Sequence, residues 1–593
     1  MRRSGRVRVG LVSAMAIALV ASSAALAAFA SSALALTISP LNGTPDASPD
    51  TQISFLGAPA SQISNVSVVG SRSGHHSGSL RSYVSATGAS FLPARGFTEG
   101  ERVTVTASVG TRGHSARVGT SFTVAHLVDY PSAGPSRSLA AKPGANQSFV
   151  SQPGLQPPTV SITSTPSAAT DSDIFLTTDS NYGQNGAMII DSAGRLVWFQ
   201  PAAKGDDVED LQVQSYAGKP VLTYWQGGIT LGVGFGSDRI LGTNYKPVAS
   251  VTAGNGYYAD LHELKLTPQG SAYLSAYTLV RADLSSVGGS RDGALQDAIV
   301  QQIDVKTGLV MFEWHAYGHV ALSDSYASPP RDANRPWDFF HLNSISPDPW
   351  GDGNFLISSR NTWTAYEINH QSGSILWRIG GKKSSFRMGA GTGTAYQHDA
   401  RWQPDHTITI FDNGATPKAH SQSRAIHEKI DFKHRTVDLL GRDVRTPPLL
   451  SGSQGDNQVQ PNGNVFVGWG EEPYFTEFNA AGQIVLDGHL PAPAQVYRAL
   501  RFAWSATPAA TPTIGLKSEA ASTVVYASWN GATGVAAWRV LAGPTPAALS
   551  TVAQVPSGGF ETAIPTPSVA PVFAVQALGA GGEVLANSRA VSR

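Results

Sequence analysis

The sequence contains no cysteine, and of its 593 residues only 14% are charged, with 42 basic side chains set against 42 acidic ones. Without cysteine there is no disulfide, no thiolate nucleophile and no cysteine-ligated metal, so the fold must be held by packing. The zero formal charge removes any broad electrostatic pull toward nucleic acid or an anionic membrane surface. Beyond the first 35 residues there is no apolar run of the length a membrane-spanning helix needs, about 20 residues. What the sequence does have is 61 glycines and 37 prolines, punctuating short runs of Val, Tyr, Phe and Trp. That is the composition of many short strands joined by turns. An all-β fold follows, and the length allows several domains of roughly 100 to 200 residues each.

Residues 1–35 read as a targeting segment. Arg2, Arg3, Arg6 and Arg8 precede an apolar stretch from Gly10 to about Ala30, and Ala33-Leu34-Ala35 offers a small-residue cleavage site. The expectation is an exported protein, secreted or at the cell surface; left uncleaved, the same stretch would serve as an N-terminal membrane anchor. Residues 36–127 are expected to form an immunoglobulin-like β-sandwich, with strands at Ile63–Val69 and Arg102–Val109. His75 and His76 fall in a Ser/Gly-rich stretch and read as a solvated loop. Residues 128–147, rich in Ser, Pro, Ala and Gly, read as a linker.

From 148 to 504 the chain repeats itself. One half of the unit is a strand, a polar turn and a strand, as in Met188–Trp198, Gln302–Phe312, Tyr366–Trp377, Ile430–Leu439 and Phe475–Leu486. The other half is a second hairpin, opening at His262, His341, His398 and Asn457. Two hairpins give four strands per unit, and six units predict a six-bladed β-propeller, in which radial repetition buries the sheet faces. Residues 505–593 form a second sandwich of fibronectin type III character, with strand-like runs at Val524–Asn530, Val535–Val540 and Val572–Ala577. Trp529 and Trp538 are assigned to its core.

Alignment of the second hairpins places His262, His341 and His398 at one equivalent position, at the start of the innermost strand of three successive units. Inner strands surround one channel, so three imidazoles distant in sequence should converge there. The copies near Asp210 and Gly455 lack the histidine, so the fold itself does not require it. Arg360 closes the hairpin that His341 opens. A fixed positive charge beside imidazoles repels a cation but suits an oxyanion. A metal site recruiting Asp399, Asp338 or Glu263 is the alternative; Asp399 could otherwise orient an imidazole or cap a turn. Trp225, Trp314, Trp363, Trp469, Tyr224 and Tyr474, near strand ends, either frame an aryl-binding mouth or pack between blades. Two further alternatives are a non-catalytic extracellular propeller that binds or adheres through its loops, and a metal- or quinone-dependent propeller oxidoreductase. Side chains of the four residues lying within about 8 Å around one pocket would favour anion transfer.

Six segments carry a family resemblance: Phe340-His-Leu-Asn-Ser-Ile345, Ile357-Ser-Ser-Arg360, Leu376-Trp-Arg-Ile-Gly-Gly-Lys-Lys383, Gln397-His-Asp-Ala-Arg-Trp402, Phe411-Asp-Asn-Gly414 and Asn462–Gly470. Together they resemble the arylsulfotransferase family over residues 148–504, and Ala527–Thr533 resembles the C-terminal extension of one of its branches. The resemblance implies a six-bladed propeller that moves a sulfuryl group from an aryl sulfate to a phenol. It implies ping-pong kinetics through a sulfohistidine, without the nucleotide donor PAPS and without a cofactor or metal. It makes His398 the nucleophile, places Arg360, His341 and Asn343 on the sulfuryl oxygens, and makes His262 the remaining active-site histidine. The partners implied are a small aryl sulfate and a phenol, with no nucleic acid and no membrane beyond a possible N-terminal anchor.

Overall fold

The computed structural model describes residues 36–111, 114–132, 138–163, 172–351 and 353–593; the targeting segment lies outside the described residues. Among these residues there are strands and three short 3-10 turns, and no helix is long and apolar enough to cross a membrane.

At the N-terminal end, two four-stranded antiparallel sheets face each other. One runs in the order Thr37–Ser39, Ile53–Leu56, Gly88–Pro93, Gly78–Ser82, and the other Gly74–His76, Ile63–Gly70, Arg102–Thr111, His114–Thr123. Alternating apolar residues from both, among them Phe55, Val68, Val103 and Phe122, make one core. His76 is not solvated. It is buried, with Nε2 2.6 Å from Ser73 Oγ, and that hydroxyl donates to Glu101 at 2.6 Å. A buried carboxylate recruits these polar side chains, which a composition-based reading assigns to water.

Six antiparallel sheets of four main strands follow. Their outer hairpins are those legible in the sequence: Gly186–Ile190 pairs with Leu196–Pro201 through Gly194 at φ +79, and Thr364–Ile368 pairs with Ile375–Gly380 through Gly373 at φ +70. Glycine holds this left-handed geometry without steric cost, which fixes the turn and hence the register. The innermost strands are Asp207–Tyr216, Leu264–Leu266, Leu342–Pro347, His398–Trp402, Asp456–Val459 and Ala499–Phe502. Each touches the next, and the last touches the first, so they form a closed ring around one channel. The ring is locked by exchange of strands between its ends. Ala499–Phe502 pairs with Asp173–Thr178 in the first sheet, and Ser161–Ile162 pairs with Ile484–His489 in the last.

The C-terminal region again packs two sheets, with Val525, Ile564, Trp538, Val540 and Phe573 in a common core together with Trp529. It is fastened to the first sheet by a reciprocal pair: Phe199 N–H donates to Asn530 Oδ1 at 3.0 Å, and Asn530 Nδ2 donates to the Phe199 carbonyl at 2.9 Å.

Candidate active site

The inner strands are not regular. Their registers shift between Glu209 and Gln212, between Leu342 and Ser344, and between His398 and Arg401, with Asp210, His341 and Asp399 at φ of 58, 56 and 55. Such bulges break the alternation of a strand and re-aim side chains. Non-glycine residues in this region cost of order 1 kcal/mol or more each, and the surrounding ring supplies the constraint that holds them. The result is two layers along the channel. Glu209, His262, His341, His398 and Tyr497 line a cavity of about 580 Å³, whereas the following acidic or basic residues, Asp210, Glu263, Asp399 and Arg498, build its floor.

The floor is a buried ion network. Arg498 pairs with Asp210 at 2.5 Å and Glu263 at 3.3 Å, and Arg401 pairs with Glu263 at 2.5 Å and Asp399 at 2.7 Å. Burial opposes ionisation of Glu263, but Arg401 and Arg498 outweigh it and bring the carboxyl down to about 2. Of the three carboxylates considered for a metal site, Asp399 and Glu263 are thereby committed to arginines, and Asp338 to His341 Nδ1 at 2.6 Å.

Above the floor the three histidines converge. The ring centroids of His262 and His341 are 5.0 Å apart, and those of His341 and His398 are 6.4 Å apart. Each ring is fixed through Nδ1. His262 Nδ1 lies 2.6 Å from Asp260 Oδ2, and that carboxylate also accepts from Gly234 N–H and Ser275 Oγ. His341 Nδ1 lies 2.6 Å from Asp338 Oδ2. His398 Nδ1 instead lies 2.7 Å from the amide oxygen of Asn413, whose own Nδ2 donates to the Gln454 carbonyl at 3.0 Å. Because Asn413 Oδ1 only accepts, His398 carries its hydrogen on Nδ1 and presents the lone pair of Nε2. The Gln454 backbone N–H donates to that nitrogen at 3.2 Å.

The surroundings favour the neutral forms of His398 and His341. Burial, then the Arg360 charge and His341, lower the His398 pKa well below the ordinary imidazole value. Burial lowers that of His341 as well, with Asp338 opposing and His262 and Arg360 reinforcing. For Asp260 burial acts upward, but the His262 imidazole and the backbone donors prevail and hold the carboxyl below its usual value.

Arg360 lines the same cavity. Its Cζ lies 5.4 Å from the Tyr396 ring centroid, and Nη1 is 3.3 Å from Asn361 Oδ1. Among the described residues it makes no ion pair, and its Nε has no hydrogen-bond partner, so a guanidinium with donors to spare faces the imidazoles. Asp179, Asp207 and Glu209 also line the cavity. Burial and then Asp179 push the Glu209 carboxyl well above its ordinary value, which limits the negative charge an incoming anion meets.

His262, His341, His398 and Arg360 are therefore brought together. Asn343 is not with them. It is fully buried behind the wall, its Nδ2 donates to the Gln397 carbonyl at 2.8 Å, and its own carbonyl accepts from Arg498 at 3.0 Å. The bulge after Leu342 turns it into the lower layer, so it does not reach a group held by the histidines. Trp225, Trp314 and Trp469 are fully buried packing residues, and Trp363 stacks on Tyr326 at 3.7 Å. Asn413 and Gln454 are site residues that sequence reasoning missed. The segment Phe411-Asp-Asn-Gly414 is the only signal for Asn413, and nothing local marks Gln454.

A larger cleft of about 880 Å³ separates the first sheet from the C-terminal region. Its charged lining includes the Asp191–Arg195 ion pair, exposed at the surface, and it holds no histidine, so the chemistry belongs to the smaller channel cavity.

A propeller-like ring of sheets with three imidazoles and a guanidinium gathered in its channel defines a class, an all-β protein with a polar channel site. Residues 212–490 match the family model described as arylsulfotransferase (ASST), so this stretch of the chain is similar to that family. The match spans most of the ring and does not reach the C-terminal region. No curated protein matches the chain. Solved structures similar to it include a Bacteroides caccae protein of unknown function (12% identity, 56% of this chain and 99% of that one, TM-score 0.35). Saccharomyces cerevisiae Sqt1 is similar at 11% identity, over 67% of this chain and 97% of that one, with a TM-score of 0.30. A catalytically inactive virginiamycin B lyase from Staphylococcus aureus with quinupristin is similar at 9% identity, 62% and 95% coverage and a TM-score of 0.30. At these values none of the three bears on activity.

Proposed function

We propose that the protein transfers a sulfuryl group from an aryl sulfate to a phenol in two half-reactions through a sulfohistidine at His398, without PAPS. The match of residues 212–490 to the arylsulfotransferase family model supports sulfuryl transfer from aryl sulfates in general. The observation that carries the histidine route is the contrast in Nδ1 partners: a neutral amide behind His398, carboxylates behind His262 and His341.

In the first half-reaction the Nε2 lone pair of His398 attacks sulfur. An N–S bond forms, the S–O bond to the aryl group breaks, and its electron pair leaves on the phenolate oxygen. Arg360 donates to the sulfuryl oxygens, and the Gln454 N–H, released from Nε2 as the N–S bond forms, turns to them as well; prearranged donors in a water-poor site act strongly. The phenolate takes the proton of one imidazolium in the His262/His341 pair, a positive charge that Asp260 and Asp338 stabilise, and that ring is left neutral. Asn413 cannot accept a proton, so the sulfated ring keeps its Nδ1–H and remains a cationic, reactive sulfuryl donor. In the second half-reaction a phenol returns the proton to the same pair, its oxygen attacks sulfur, the N–S bond breaks and the electron pair returns to Nε2. The channel region, residues 148–504, would carry this chemistry, with sandwiches at 36–127 and 505–593 flanking it and residues 1–35 directing export.

The test is 4-nitrophenyl sulfate with phenol as acceptor. Phenol-dependent nitrophenol release is expected, together with a mass gain of one sulfuryl group on protein treated with donor alone. Both should vanish in His398→Asn; release by that variant at the wild-type rate removes His398 as nucleophile, and failure to turn over any aryl sulfate leaves a binding propeller.

A further inference from the structure

Away from the channel, where the N-terminal sandwich meets the third sheet of the ring, lies a second group of titratable side chains that sulfuryl transfer does not use. Asp46 comes from the sandwich, Asp297 from the strand Gly293–Asp304 and His315 from the end of Val310–His315. All three are buried, and one donor atom from each lies within 4.8 Å of the others. His315 Nδ1 is 2.8 Å from Asp297 Oδ2 and 3.2 Å from Asp46 Oδ1.

Two features set this group apart from an ordinary buried ion pair. The first is charge. Asp46, Asp297 and the neighbouring Glu313 bring three carboxylates out of water, and among the described residues the only cationic partner is His315. One imidazolium would leave two negative charges uncompensated, a situation buried sites avoid. The second is the unused donors. Asp46 is only 2% exposed; its Oδ2 lacks a hydrogen-bond partner and its Oδ1 has only the His315 contact, and the buried hydroxyl of Tyr257, whose ring centroid is 6.4 Å from that of His315, has no hydrogen-bond partner either.

The second layer is already organised. His315 Nε2 lies 3.1 Å from Glu313 Oε1, and the other Glu313 oxygen accepts from Asn255 Nδ2 at 2.8 Å and Gln301 Nε2 at 2.6 Å. With Nε2–H kept on Glu313, His315 would give up its Nδ1 proton to an incoming ion and turn that nitrogen's lone pair to it, the carboxylate–histidine arrangement that orients metal ligands. Asp297 Oδ1 is occupied by the Tyr317 N–H at 2.7 Å, leaving Oδ2 for the centre. Ligand atoms at about 2.0–2.2 Å around a tetrahedral ion sit roughly 3.3–3.6 Å apart, so to accept one the 2.8 Å contact of His315 with Asp297 must open by about half an ångström or more and the 3.2 Å contact with Asp46 by less.

We propose that Asp46, Asp297 and His315 bind one divalent transition-metal ion, Zn²⁺ above all, which fastens the N-terminal sandwich to the third sheet. One imidazole and two carboxylates in a closed, dry site suit Zn²⁺ better than Ca²⁺, which takes six to eight oxygens, or Mg²⁺, which keeps its waters. The ion is structural and independent of the channel chemistry.

The experiment strips the full chain with EDTA, removes the chelator, adds Zn²⁺ and measures metal content after gel filtration together with the melting temperature. One Zn²⁺ per chain and a rise in melting temperature of several degrees, reversed by EDTA, are expected. Folded wild-type protein that takes up no Zn²⁺ and melts unchanged overturns the site, leaving a hydrogen-bonded imidazolium in its place. Because the channel histidines also offer nitrogen ligands, two variants locate the ion. Asp46→Asn should lose it while His398→Asn keeps it. Zn²⁺ retained by Asp46→Asn, or lost from His398→Asn, overturns the assignment. If Asp46→Asn does not fold, the wild-type titration and His398→Asn still decide.

Discussion

The amide oxygen of Asn413 lies 2.7 Å from His398 Nδ1, at the position where His262 and His341 each have a carboxylate oxygen at 2.6 Å. An amide fixes the tautomer of an imidazole without adding charge, whereas a carboxylate also favours the protonated ring. One nucleophile and a proton-carrying pair can thus be made from three copies of the same residue.

Replacing that amide tests the division of labour. Asn413→Asp keeps the hydrogen bond but adds a negative charge, so His398 should hold its proton to higher pH and the acid limb of kcat/KM should move upward. Asn413→Ala releases the ring and should lower kcat by about 10- to 100-fold, the usual cost of removing an orienting partner. A merely structural role for Asn413 would lower folded protein and leave the pH profile in place.

Wild-type activity should persist into mild acid. Burial and Arg360 depress the His398 pKa, so the neutral nucleophile survives below the ordinary imidazole value of about 6.5, and the acid limb of donor kcat/KM should fall beneath it. The same depression acts on stability with a defined sign. Above about 6.5 the ring is neutral both folded and unfolded; as pH falls below that value the unfolded chain takes a proton first, and the fold weakens progressively toward the depressed native pKa. Steady-state rates and melting temperatures measured from about pH 4 to about pH 8, a span that brackets histidine titration, check both statements.

Arg360 has no ion pair to lose among the described residues, so its removal should affect chemistry rather than folding. Arg360→Ala is expected to lower kcat for aryl sulfate by about 100- to 1,000-fold, the scale of a lost oxyanion donor, with little change in melting temperature. Arg360→Lys should restore part of the rate, because it returns the charge without the planar fork.

The floor behaves oppositely. Arg498→Met removes the cation that Asp210 and Glu263 share and leaves buried carboxylates unbalanced. A loss of about 3–5 kcal/mol in denaturant unfolding is expected.

Parts of this were legible in the chain. The outer hairpins could be read because alternating apolar residues and a turn glycine act locally, as in Met188–Trp198 around Gly194. The three histidines and Arg360 could be matched because repetition turns a sequence position into a spatial one. The neighbouring residues could not be assigned in the same way. Asn343 follows His341 by only two positions, yet the bulge at Leu342 and Ser344 sends it to the lower layer. Asp399 follows His398 directly and serves Arg401. Nothing in local spacing says which way a bulged strand turns its side chains.

By itself, then, the sequence determined an all-β chain, the repeating hairpins and the convergence of three imidazoles with a guanidinium, because strand period, turn chemistry and repetition are local and additive. Only the tertiary structure decided which nitrogen of His398 is free, which carboxylates are consumed by the floor, and that Asp46 meets Asp297 and His315. Those outcomes depend on charges from distant segments being forced into one volume from which water is excluded, where each buried group must find its partner among whatever the fold brings near.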